Sequence, residues 1–161
     1  MNTNHHDALS ALLTGIQSEI ASYVFYLHAS KKTEAKGHRS ILEKLASEEK
    51  EHFHILEKQY DSLVRSEKWI SIADALKNNG SPEITEEMSQ DHKKMINAVA
   101  EAKSLSELLD IAWLFEVEAY SLFLSEKEKC TSREGKEMYE KLSRFEQGHM
   151  TIISKLKTKL K

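Results

Sequence analysis

Six residues fall into two copies of one arrangement. Glu19 is followed thirty residues later by Glu49-x-x-His52, and Glu116 is followed thirty residues later by Glu146-x-x-His149. A shift of 97 residues carries Glu19 onto Glu116, Glu49 onto Glu146 and His52 onto His149. The same shift aligns the apolar frame: Leu12 with Leu109, Tyr23 with Tyr120, Tyr26 with Phe123, and Leu45 with Leu142. A repeat at a fixed period defines a structural unit, here used twice.

The chemistry follows from the faces these residues occupy. On a helix, Glu19 shares a stripe with Leu12, Ile16 and Tyr23, and Glu116 shares one with Leu109, Trp113 and Tyr120. Glu49 sits among Leu42, Leu45, Ala46, Phe53 and Leu56, and Glu146 among Tyr139, Leu142, Met150 and Ile153. Each histidine lies one turn beyond its glutamate. Ionised carboxylates on apolar faces are costly unless paired, and no Lys or Arg shares these stripes. Two divalent cations would neutralise four carboxylates, with the imidazoles completing the coordination. One Glu from each of two helices plus Glu-x-x-His from the other two is the carboxylate-bridged dimetal arrangement of helical bundles. Its oxygen-rich donor set suits iron, or manganese or a mixed pair, better than a thiolate-preferring metal.

A lone Glu-x-x-His in a Glu-rich chain usually marks a solvated face, and the sequence contains its own control. Glu51 and His54 have the same spacing, but Lys44, Ser47, Glu48 and Lys58 surround them, with Ile55 the one apolar neighbour. That pair reads as surface.

The elements that must position the six residues are long helices. Apolar residues recur at helical spacing over about 7–31, 37–65, 104–129 and 131 to the C-terminus. Ser104 with Glu107, and Thr131 with Glu134, offer capping boxes for the third and fourth. Short connections make helices one and two, and helices three and four, antiparallel hairpins. Residues 66–103 form a long crossover with an amphipathic piece over 70–76, a turn at Asn78-Asn79-Gly80-Ser81-Pro82, and a fifth helix over 85–102. The expectation is an all-α antiparallel four-helix bundle built from two helical hairpins, forming one domain over residues 1–161.

Composition agrees. The 161 residues include 5 Gly and 1 Pro, too few breakers for a β-sandwich or barrel. Glu outnumbers Asp by 21 to 5, a helix-favouring imbalance, and the net charge of −3 excludes a strongly basic nucleic-acid binder. No signal-peptide pattern and no membrane-length apolar run is present, so a cytoplasmic location is expected. The single Cys130 excludes internal disulfides and multi-cysteine metal sites.

The runs EIASYVFY (19–26), LASEEKEH (45–52), EVEAYSLF (116–123) and LSRFEQGH (142–149) resemble the rubrerythrin-type domain of the ferritin-like superfamily. The resemblance covers both hairpins. It implies two iron ions, with Glu49 and Glu146 bridging, Glu19 and Glu116 terminal, and His52 and His149 one to each iron. It also implies reaction with hydrogen peroxide or dioxygen, or oxidation of Fe(II). Rubrerythrins proper carry a rubredoxin module with two C-x-x-C pairs. One cysteine cannot supply these, so turnover is expected to need an external electron donor. Rubrerythrins also place a further Glu one turn after the third-helix ligand, where this chain has Ala119 beside Glu118.

Tyr23 and Tyr120, one turn beyond Glu19 and Glu116, could hydrogen-bond the carboxylates or serve simply as core aromatics. Trp69 is placed to pin the crossover to the bundle, Trp113 reads as core, and Cys130 as an incidental thiol. His5, His6, His28, His38 and His92 lack partners at ligand spacing. Three functions fit: a di-iron oxidoreductase acting through the six metal-binding residues, a protein that binds and buffers Fe(II), and a helical interaction protein with a vestigial site. The duplicated ligand set argues against the third. No nucleic-acid or membrane partner is expected, and a homodimer is compatible with the pattern. The two Glu-x-x-His pairs are separable by substitution: Glu49→Ala or His149→Ala should abolish metal loading and Glu51→Ala should leave it intact, as read by metal content per chain. Equal effects would show that the wrong pair has been assigned.

Overall fold

A computed structural model describes residues 3–77 and 83–160, with side chains from Asp7 onward. The expected turn at Asn78-Asn79-Gly80-Ser81-Pro82 lies outside the described residues. Among those described there are seven helices and no strands: α1 (Thr3–Lys32), α2 (Lys36–Ser66), α3 (Ile72–Leu76), α4 (Glu86–Gln90), α5 (Lys93–Glu101), α6 (Leu105–Lys129) and α7 (Arg133–Lys159). Helices α1 and α2 pack as one hairpin, α6 and α7 as the other, and α1 also packs against α6. This is the ferritin-like helical bundle.

Its core falls into two apolar clusters with the polar residues between them. Toward one end lie Leu12, Ile16, Phe53, Leu56, Phe123, Met138, Tyr139 and Leu142. Toward the other lie Phe25, Tyr26, Leu42, Leu45, Leu109, Ala112, Ile153 and Leu156. Along α2, α6 and α7 the glutamates of the repeat fall where one cluster hands over to the other. Burial of the two clusters drives the bundle together and closes both ends of its middle layer to water.

Helix ends agree with the sequence in part. Ser104 caps α6, accepting from the Glu107 amide at 3.1 Å, but the Glu107 carboxylate accepts from Lys103 N at 2.8 Å instead of closing the box on Ser104. The cap of α7 is Ser132, one residue later than the expected Thr131. Its hydroxyl accepts from Gly135 N at 3.3 Å and donates to Glu134 at 3.1 Å. The shift has a packing reason. A Cβ on Gly135 would lie 2.5 Å from Cys130 Sγ and 2.9 Å from the Trp69 ring, so this turn is drawn tightly against the crossover.

The expected helix over 85–102 is two helices. Thr85 caps α4, but the chain turns at Asp91 and His92, where His92 adopts φ −112° and ψ 38° and its ring meets Gln17 of α1 at 3.2 Å. Tertiary contact with α1 replaces the continuous helix that periodicity suggests.

Specific polar contacts fix the crossover to the bundle. The Lys32 ammonium donates to the carbonyls of Val99, Ala100 and Ala102 at 2.7, 3.0 and 2.5 Å, capping the C-terminus of α5. Buried Gln59 satisfies both backbone groups of Ile70, donating to its carbonyl at 2.8 Å and accepting from its amide at 2.7 Å. Trp69 beside it meets Tyr139 edge-on, with ring centroids 6.3 Å apart. Trp69 therefore pins the segment, whereas Trp113 is only half-buried. Gln59→Ala would strand the Ile70 amide and carbonyl, and a loss of about 1–3 kcal/mol in chemical denaturation is expected. Metal stoichiometry should not change.

Candidate metal centre

The two hairpins bring the six residues of the repeat to one level of the bundle, Glu19 from α1, Glu49 and His52 from α2, Glu116 from α6, and Glu146 and His149 from α7. The four carboxyl groups are at most 1% exposed and the imidazoles at most 4%. The motifs cross between hairpins. His52 Nδ1 lies 3.0 Å from Glu146 of the opposite hairpin, and His149 Nδ1 lies 2.8 Å from Glu49 and 3.2 Å from Glu116. The rings stack with centroids 5.6 Å apart.

Two overlapping groups can each gather one donor atom per residue within 4.8 Å: Glu19, Glu49, His52 and Glu146, and Glu49, Glu116, Glu146 and His149. Glu49 and Glu146 belong to both. Each group thus has one carboxylate and one imidazole of its own and two carboxylates in common, which is the donor set of a bridged metal pair.

The fit to cations is visible in the unsatisfied atoms. Both oxygens of Glu19, and Oε2 of Glu49, Glu116 and Glu146, are buried without a hydrogen-bond partner. Buried polar atoms are almost always satisfied, so five orphaned carboxylate oxygens at one level mark a place for a Lewis acid. The chain carries a buried carboxylate and histidine cluster suited to binding metal.

Without metal, protons do part of the compensation. Burial, followed by repulsion from Glu146 and Glu49, raises Glu19 well above the carboxylate range. Burial and the charge of Glu146 push Glu116 up to about 8. Burial and neighbouring carboxylates also press Glu49 and Glu146 upward, but contacts with His149, His52 and the other carboxyls outweigh this and hold both low. Burial alone would lower His52, yet Glu146 and Glu49 raise it to about 10, and His149 rises for the same kind of reason. At neutral pH the Glu49 and Glu146 carboxylates then face two imidazoliums, and the Glu116 carboxyl holds its proton.

Other residues are arranged around this layer. Tyr26 donates its hydroxyl to Glu116 Oε1 at 2.5 Å. Tyr23 and Tyr120 are half-buried, and neither bonds a carboxylate of the centre. The long Tyr26 side chain reaches across to the facing helix instead of along its own. Its signal in the sequence was a tyrosine two turns beyond Glu19 and aligned with Phe123. Glu48 was also missed as a participant: His149 Nε2 donates to its carboxylate at 2.7 Å. Its only trace was the Glu-Glu doublet.

Ala119 is buried, and Glu118 beside it is exposed, so no further carboxylate enters from α6. Glu51 is exposed and His54 half-buried, and neither joins the candidate metal groups among the described residues. The same holds for His28, His38, His92 and Cys130. Cys130 is half-buried at the α6–α7 turn, where burial pushes its thiol up. The side chains of His5 and His6 lie outside the described residues. No helix among the described residues is long and apolar enough to cross a membrane.

A family model described as rubrerythrin matches residues 10–157. No curated protein and no solved structure matches the chain.

The protonation pattern has measurable consequences. Loading divalent ions near pH 7 should release protons from the Glu116 carboxyl and from both imidazoliums, read by calorimetry in buffers of different ionisation enthalpy. Affinity should fall as pH is lowered. The metal-free fold should show the opposite trend. Its proton-rich groups stabilise it fully below their unfolded values, near 4.5 for Glu116 and 6.5 for His52, and that support is lost through about 8 and about 10. Its melting temperature should therefore fall as pH rises over that window.

Proposed function

The chain belongs to the rubrerythrin family, and from that premise we propose that it is a di-iron oxidoreductase that reacts an iron pair with hydrogen peroxide or dioxygen. The observation that carries the reading is the pair of four-residue donor groups sharing Glu49 and Glu146. Two irons held there would each supply one electron to an O–O bond.

The residues of the chain perform the remaining tasks. Glu49 and Glu146 hold the two positions together, and Glu19 with His52, and Glu116 with His149, close the outer sides. Oxygen and nitrogen donors without thiolate suit iron, and manganese would satisfy the same set. The apolar clusters on either side of the layer keep bulk water out, which strengthens each charge interaction within it. The chain has a single cysteine and therefore no rubredoxin-type cysteine set, so reducing equivalents for repeated turnover come from an external donor.

A second reading is supported by Ala119. Rubrerythrins place a glutamate where this buried alanine lies, and the exposed Glu118 does not replace it. A centre with only the six donors fits a protein that binds and buffers Fe(II) and oxidises it slowly.

Anaerobic loading with Fe(II) followed by rapid mixing with peroxide or with air separates the two. Two iron ions per chain and fast oxidation by peroxide are the expected outcome. Loading without fast oxidation by either oxidant would favour the buffering role, and uptake of fewer than two ions would overturn the dimetal reading.

A further inference from the structure

The repeat relates the two sides of the centre, so each residue touching one side has an equivalent on the other, 97 positions away. At two such pairs the chemistry differs. Tyr26 donates to Glu116 at 2.5 Å, whereas its equivalent is Phe123, which has no hydroxyl and stacks against Tyr139 at 6.2 Å. Glu48 accepts from His149 Nε2 at 2.7 Å, whereas its equivalent is Phe145, whose ring lies parallel to His52 at 5.1 Å.

Both polar partners fall on the same side. Glu116 and His149 belong to one donor group, and Glu19 and His52 to the other. The polar side has an imidazole whose outer nitrogen is tied to a carboxylate and a glutamate whose Oε1 is fixed by a hydroxyl. On the apolar side, His52 is steadied by ring stacking, its polar contacts all run through Nδ1, and both oxygens of Glu19 lack a hydrogen bond.

The difference bears on metal affinity. A carboxylate on the outer nitrogen of a ligating histidine fixes the tautomer, directs Nδ1 inward and makes the ring a better donor. It also adds a negative charge near the cation. A hydroxyl on one oxygen of a terminal carboxylate removes the freedom that binding would otherwise have to restrict. Phe145 and Phe123 supply packing but neither charge nor hydrogen bonds.

We propose that Tyr26 and Glu48 are positioning residues that make the two metal positions unequal, so that the position at Glu116 and His149 fills first and binds more tightly than the position at Glu19 and His52. The inference rests on the dimetal reading. At metal levels between the two affinities the protein holds one ion at the Glu116 side, leaving the Glu19 side to take a second ion of the same or another kind.

Cobalt(II), a paramagnetic divalent probe, tests this without oxidation chemistry. The metal-free protein is titrated anaerobically, with calorimetry giving the binding steps and proton NMR following the two imidazole rings. The first equivalent should give the large contact shifts of a directly ligated ring to His149 alone, and the second should give them to His52. Glu48→Gln and Tyr26→Phe should each weaken the first step, by roughly tenfold for Glu48→Gln, and leave the second nearly unchanged. Phe123→Tyr should tighten the second step. Helical circular dichroism of each variant checks folding, and the order of filling in the unsubstituted protein needs no variant at all. Two ions whose contact shifts appear on both histidines together, or on His52 first, would overturn the proposal while leaving the dimetal reading standing. Fewer than two ions per chain would remove both.

Discussion

Four carboxyl groups buried at one level of an apolar bundle are the constraint on which the rest of the structure depends. Left ionised and unpaired, they would repel one another in a medium that screens poorly, and the bundle could not close around them. The fold has two ways to meet this. In the metal-free chain, protons on Glu116 and both histidines offset charge in the layer and burial pushes Glu19 toward its neutral form; cations offer the other compensation.

Duplication makes this balance geometrically simple. Each hairpin contributes one glutamate from its first helix and a Glu-x-x-His from its second, and antiparallel packing sets the two motifs face to face. Each histidine then meets the Glu-x-x-His carboxylate of the opposite hairpin, so neither half of the cluster is complete alone. The crossover lets the halves meet in this way. It must travel the length of the bundle, and Gln59, Lys32 and Trp69 tie it down through otherwise orphaned backbone groups and an aromatic contact. The duplication is also imperfect. Tyr26 faces no second tyrosine and Glu48 no second glutamate, because phenylalanine stands at both equivalent positions.

Much of this was legible in the chain because helical periodicity and a long-period repeat are both local bookkeeping of residue types. The four long helices and the six clustered residues follow from that alone. Helix termini were less legible. Ser132 caps α7 in place of Thr131 because Gly135 is pressed against Cys130 and Trp69, which come from other parts of the chain. The break at Asp91 and His92 likewise answers to packing on α1.

What the sequence determined by itself is the kind of centre. Carboxylates and imidazoles at helical spacing, duplicated and set on apolar stripes, admit few other physical solutions. What only the tertiary structure decided is which polar side chains reach that centre from outside the motif. Tyr26 serves the helix opposite, and Glu48 serves the histidine of the other hairpin. Periodicity assigns a residue to a face of its own helix. It carries no information about the reach of a long side chain across the gap between helices, and that distance exists only once the bundle has assembled.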